Sequence, residues 1–157
     1  LIQVGKRIFN TMKKKILLSG IIILVIALGL YTGYLWLQED VHMKKNSLSY
    51  FILFHPDYIK DMSLPEPTKP PRYYYSGGDG VKPSTQEINI FSDTAPEAAL
   101  PPITEFLEKQ EFKQDMSPEY NGEFAYFLNK NFEVHIRLAE LSSSTPRFQY
   151  VISEYQY

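Results

Sequence analysis

From Ile16 to Leu37 the chain runs for twenty-two residues without a formal charge. The hydrocarbon core of a bilayer is about 30 Å thick, and a helix rising about 1.5 Å per residue crosses it in roughly 20 residues. Ile21-Ile22-Ile23-Leu24-Val25-Ile26 is apolar all round, which excludes a helix that buries one face and wets the other. The run holds thirteen Ile, Leu and Val residues. At about −0.3 to −0.6 kcal/mol each near the bilayer centre, they favour insertion by at most roughly 4 to 8 kcal/mol. A transmembrane helix over residues 16–37 is therefore expected, with the lipid bilayer as its partner. A cleaved signal peptide is the competing reading. Its apolar region is usually shorter and ends in a small-x-small site, for which Ala27-Leu28-Gly29 is the nearest candidate.

The flanks set an orientation. Lys6, Arg7, Lys13, Lys14 and Lys15 precede the run with no acid among them, whereas Gln38, Glu39 and Asp40 follow it before Lys44-Lys45. The positive-inside rule then expects residues 1–15 in the cytoplasm and everything past Leu37 outside an inner, cytoplasmic membrane, in the periplasm or the extracellular space. Met12-Lys13-Lys14-Lys15 looks like a natural start, so residues 1–11 are set aside from fold reasoning. Tyr31, Tyr34 and Trp36 sit at the far end, where amphipathic rings prefer the interface. Gly29-x-x-x-Gly33 has the spacing of a helix-dimerisation face, so an anchor-mediated dimer is one option.

Beyond the anchor, residues 38–157 hold 11 basic and 18 acidic side chains. That excess disfavours nucleic acid, which rewards clustered Lys and Arg, and suits a protein partner with a basic binding surface. The chain has no cysteine, which excludes disulfides, thiolate metal sites, a cysteine nucleophile and lipoprotein acylation. His42, His55 and His135 lack a second ligand at helical spacing, so no metal site is expected, and no motif implies a cofactor. Ten Tyr and nine Phe in residues 38–157 supply packing material.

Residues 38–48 read as a juxtamembrane linker and 49–157 as one α+β domain. Ser49 to Phe54 reads as a buried strand, closed by His55-Pro56-Asp57. Four prolines between Pro65 and Pro71 favour an extended connection. Arg72–Tyr75 and Glu87–Phe91 are expected to pair as a loose hairpin across the Gly77-Gly78-Asp79-Gly80 turn. Thr94-x-x-Glu97 with Pro96 has the pattern of a capping box, and Pro101-Pro102 is expected to interrupt the helix before it resumes from Ile103 to about Lys113. Ile103, Phe106, Leu107 and Gln110 would line its inner face. Ser117-Pro118-Glu119 is a turn. Strands are expected at Glu123–Leu128, Phe132–Leu141 and from Phe148 to Ile152, the middle one alternating Phe132, Val134, Ile136 and Leu138 against Glu133, His135 and Arg137. The fold class is thus an antiparallel sheet, ending in a three-stranded meander and packed by one main helix.

The candidate contact surface is Tyr73, Tyr74 and Tyr75 with Gly77, Gly78 and Asp79, because tyrosine gives large contact area at low entropic cost. Core or edge packing for at least two of these rings is the competing reading. Glu133 with His135 could support acid–base work as a small hydrolase, against the simpler account of a solvated strand face. Ser142-Ser143-Ser144 has no nucleophile elbow around it. No catalytic constellation emerges. The expected work is non-enzymatic binding of another protein at a bacterial envelope. Two forms are expected: an inhibitor or immunity-type partner of an envelope-active enzyme or toxin, or an accessory subunit of an envelope or secretion assembly.

Overall fold

The computed structural model describes residues 2–78, 82–115, 125–142 and 146–157. The chain divides into two units, residues 1–37 and 38–157. The first is a single helix, α1 (Ile2–Trp36), whose Lys14–Trp36 portion is long and apolar enough to cross a membrane. Its 23 residues extend about 35 Å at the usual helical rise. Side chains from Ile16 to Leu30 lie exposed. A Cβ on Gly29 or Gly33 would meet nothing within 4 Å.

The second unit is α+β, as expected, and its sheet is larger than the three-stranded meander. Seven antiparallel strands stand in the order β1-β2-β3-β7-β6-β5-β4. They are β1 (Asp40–Lys44), β2 (Arg72–Ser76), β3 (Ser84–Ser92), β4 (Lys113–Gln114), β5 (Ala125–Leu128), β6 (Phe132–Glu140) and β7 (Phe148–Gln156). The expected hairpin of β2 and β3 forms, with Tyr73 opposite Ile88, and the β5–β6–β7 meander forms as well. Residues 40–44, read as part of a linker, are instead an edge strand. Their alternation was hidden by the charges that blunt an edge, since only Met43 is fully buried.

Register sorts the side chains into two faces. Met43, Tyr73, Ile88, Ile152 and Ile136 lie opposite one another across five strands, and Ile90, Tyr150, Val134 and Phe127 extend the same apolar face. Each fully buried side chain of this size contributes about 1.5–3 kcal/mol. The domain's described helices pack on this side. Tyr50 and Phe54 of the α2 region (α2, Leu48–Leu53) meet Tyr73 edge-on at 4.8 and 4.9 Å between ring centroids. The expected strand at Ser49–Phe54 is therefore wrong. Ser47 caps the helix by accepting from the Tyr50 N–H at 3.2 Å, and Tyr50 stacks on Phe54 four residues on.

Glu154, 3 % exposed, projects from β7 into the same layer and accepts the backbone N–H groups of Asp57, Tyr58 and Ile59 at 2.7, 2.9 and 3.1 Å. A buried carboxylate thereby satisfies the turn that leads into the 3₁₀ segment Ile59–Asp61. Burial raises its pKa above the ordinary carboxylate value, against the opposing pull of the three N–H donors.

Helix α3 (Pro96–Lys109) buries Ala99, Ile103 and Leu107, leaving Phe106 half-buried and Gln110 exposed. Two local expectations fail here. The N-cap is Ala95, not Thr94, because Pro96 takes the first helical position and forces its predecessor to extended backbone (φ −67°, ψ 151°). The Thr94 hydroxyl instead accepts from Ser92 Oγ at 3.1 Å. Nor do Pro101 and Pro102 interrupt the helix. They lie exposed inside it, and the carbonyls they leave unbonded one turn earlier belong to the exposed Glu97 and Ala98 and remain open to water. The C-terminus closes with bonds from Phe112 N to Leu107 O and Glu111 N to Glu108 O, both 3.0 Å, with Glu111 in left-handed backbone at φ 64°.

Candidate functional site

The opposite face of the sheet carries none of the domain's described helices. Across six strands one row stands in register: His42, Tyr74 and Glu87, which reach the surface at least in part, then Ser153, His135 and Tyr126, which are buried. Beside it runs a second row, Lys44, Arg72, Asn89, Val151 and Arg137. Strand alternation forces this arrangement, because the residues between core positions must point the other way. Here the outward set is rich in long polar and aromatic side chains that support one another.

At the centre, Arg137 Nη2 donates to Glu87 Oε2 at 2.7 Å, and the Ser153 hydroxyl donates to the same oxygen at 2.9 Å. A shallow hollow of about 240 Å³ lies beside this pair, lined by Glu87, Arg137, Ala139, Gln149 and Val151 among others. Towards one edge of the row, His135 Nε2 stands 3.2 Å from Glu133 Oε2, between the rings of Tyr126 and Tyr155 at 4.6 and 4.5 Å. His135 is only 8 % exposed, so the solvated strand face expected there is instead a packed aromatic cluster. Ser153 lies opposite His135 in register, yet it is fully buried and its hydroxyl is directed to Glu87. A general base must reach the proton that it removes, and this hydroxyl is committed to a carboxylate. Ser143 and Ser144 lie outside the described residues. No group of three metal-ligating side chains occurs among the described residues.

The three tyrosines singled out from the sequence do not share a surface, because neighbours in a strand alternate. Tyr73, 5 % exposed, belongs to the core and its burial raises its pKa. Tyr75 shares its face and is half-buried. Tyr74 lies on the uncovered face, 5.1 Å from the His42 ring, and donates to Asp40 Oδ1 at 2.5 Å. That bond, with a second from Ser76, holds the Asp40 carboxyl below its ordinary value, while burial first and the Asp40 bond second raise Tyr74. Gly77 donates its N–H to Glu39 O at 3.1 Å. A Cβ on Gly78 would stand 2.9 Å from the Lys82 carbonyl, so the turn admits no side chain there without shifting. Asp79 lies outside the described residues.

Sequence reasoning passed over Glu87, Asn89, Phe91 and Gln149, and it treated Arg72 only as the end of a strand. The signal was present in the alternation of Glu87-Ile88-Asn89-Ile90-Phe91, but only cross-strand register reveals which residues stand beside them. Compared with protein-family models, with curated proteins and with solved structures, the chain finds no match.

Proposed function

We propose that this is a single-pass, membrane-tethered binding protein of a bacterial envelope, whose domain stands outside the cytoplasmic membrane and engages another protein through the uncovered sheet face. Lys14–Trp36 is its anchor. One observation carries the reading. A seven-stranded sheet keeps its described helices on one side and lines the other with polar and aromatic side chains, among them the Glu87–Arg137 and Tyr74–Asp40 pairs already held in place. Side chains fixed before association lose less entropy on docking than mobile ones, so such a face suits recognition.

The action is inhibition or immunity-type protection against an envelope-active enzyme or toxin, rather than catalysis. The acidic excess of residues 38–157 acts at long range, steering a partner of net positive charge toward the domain.

The test is capture. The full chain, tagged after Tyr157 and solubilised from its membrane in mild detergent, should retain a protein partner at low salt and lose it when Glu87 and Arg137 are both replaced by alanine. A wild-type chain that sediments with membranes yet retains no protein contradicts the reading. So does a chain that fractionates away from membranes.

A further inference from the structure

The uncovered face carries the acids Asp40, Glu87 and Glu133 as well as cations, but none of the three pairs with Lys69 or Arg72, which meet over one aromatic ring. Lys69 Nζ lies 5.6 Å from the centroid of the Phe91 ring, and the guanidinium carbon of Arg72 lies 5.9 Å from the same centroid. Both cations are exposed, and among the described residues neither has a carboxylate partner. An aromatic face attracts one cation readily, but two on one ring repel each other. Arg72 also belongs to the row Lys44–Arg72–Asn89–Val151–Arg137, in which Arg137 leaves 47 % of its side chain exposed despite its bond to Glu87. The acids of α3, Glu97, Glu105 and Glu108, stand on the helix that covers the other face. Net charge therefore misdescribes this surface.

We infer that the uncovered face receives an extended acidic segment of a protein partner, running across β2, β3, β7 and β6. One carboxylate is held between Lys69 and Arg72, and a second at Arg137. Arg72 and Arg137 are three strand spacings apart, about 14 Å at about 4.8 Å per strand, and four residues of extended chain span about 13 Å. Residues i and i+4 of such a segment point to the same side, as does i+2 between them. The middle side chain would then lie over half-buried Val151, with the amides of Asn89 and Gln149, themselves joined at 3.3 Å, beside it. The pattern is acidic–x–apolar–x–acidic. An anionic glycan would use the open face of Phe91 as a stacking platform, but the two cations occupy that ring, which favours peptide. This inference rests on the reading of a tethered binding protein.

The test uses the full chain in lipid nanodiscs and three probes: a blocked Glu-Ser-Val-Ser-Glu peptide, its Lys-Ser-Val-Ser-Lys counterpart, and tetragalacturonate. Saturable binding of the acidic peptide is expected, weakened by about fivefold or more in Arg72→Glu and in Lys69→Ala, and weakened by added salt. Lys69→Ala lies in a loop and guards against a folding defect in the first variant. Glu108→Gln on α3 should leave binding unchanged. Absence of saturable binding overturns the inference, as does binding indifferent to both variants. Tetragalacturonate binding that is tighter and lost in the same variants overturns it in favour of a glycan. If the peptide fails while a partner is still captured by the full chain, this surface assignment falls and the binding-protein reading stands. Peptide binding with no captured partner does the reverse.

Discussion

Arg137 and Glu87 lie 50 positions apart in the chain and meet at 2.7 Å across β7, the strand between them. Ser153 of that strand donates to the same carboxylate oxygen, and it is fully buried whereas the Arg137 side chain is 47 % exposed. The two ends of this contact therefore differ in what they protect. Glu87→Ala removes the acceptor of a buried hydroxyl and should lower the unfolding free energy by about 1–2 kcal/mol. Arg137→Ala breaks a half-exposed ion pair and should cost less than about 1 kcal/mol. Urea titration of the full chain in detergent, read by the near-ultraviolet signal of its tyrosines, separates the two. Equal losses would mean that Ser153 does not depend on Glu87.

Glu154 gives the pH dependence a sign. Its folded-state pKa is raised by burial, so the folded state binds this proton more tightly than the unfolded chain. Its contribution is then fullest below the ordinary carboxylate value and declines as pH rises through the raised folded value. Glu154→Gln lacks that titration. It also sets an amide NH₂ against backbone N–H groups that now meet carboxyl oxygens, so it should destabilise the domain by about 1–3 kcal/mol. The loss relative to wild type should be largest in acid and smaller at pH 7. Denaturation midpoints of both proteins across that range check it. A difference that grows toward neutral pH contradicts the assignment.

Helix α3 has two local imperfections that single substitutions should repair. Ala95 occupies an N-cap with no side-chain acceptor, so Ala95→Ser should stabilise by about 0.5–1 kcal/mol. Glu111 holds left-handed backbone after the helix, so Glu111→Gly should stabilise by a similar amount, about 1 kcal/mol. Thermal midpoints of the two variants and of their combination test both, and the gains should add because the positions lie at opposite ends of the helix.

The Tyr74–Asp40 bond is open to a direct reading by nuclear magnetic resonance. Asp40 titrates below the ordinary carboxylate range chiefly because the Tyr74 hydroxyl donates to it. Tyr74→Phe should move the Asp40 side-chain carboxyl titration upward. In the wild type, the stabilisation that this bond contributes is present above the unfolded value and is lost as pH falls through the folded one. An unchanged Asp40 titration in Tyr74→Phe would show that another donor sets it.

What the sequence made legible follows from how local each signal is. The charge-free run is long and self-contained, so its helix needed no tertiary knowledge. Strand β6 was equally readable because Phe132, Val134, Ile136 and Leu138 alternate over one segment. The failures occurred where short segments take their structure from neighbours. Tyr50 to Phe54 is apolar enough for a strand, and only the Ser47 cap and the i,i+4 pairing of Tyr50 with Phe54 mark it as helix. Residues 40–44 become a strand because β2 lies beside them. The uncovered face was the least legible of all. Arg72, Asn89 and Arg137 come from three segments, and their alignment exists only once the strand order is known.

Site-specific photo-crosslinking in intact membranes tests the central claim most directly. A photoreactive phenylalanine analogue would replace Asn89 on the uncovered face or Glu105 on the outer side of α3. The account predicts a discrete higher-mass adduct from position 89, absent at position 105 and abolished by Arg72→Glu. An adduct from position 105 alone, or none from position 89 in a chain that is folded and membrane-bound, would contradict it.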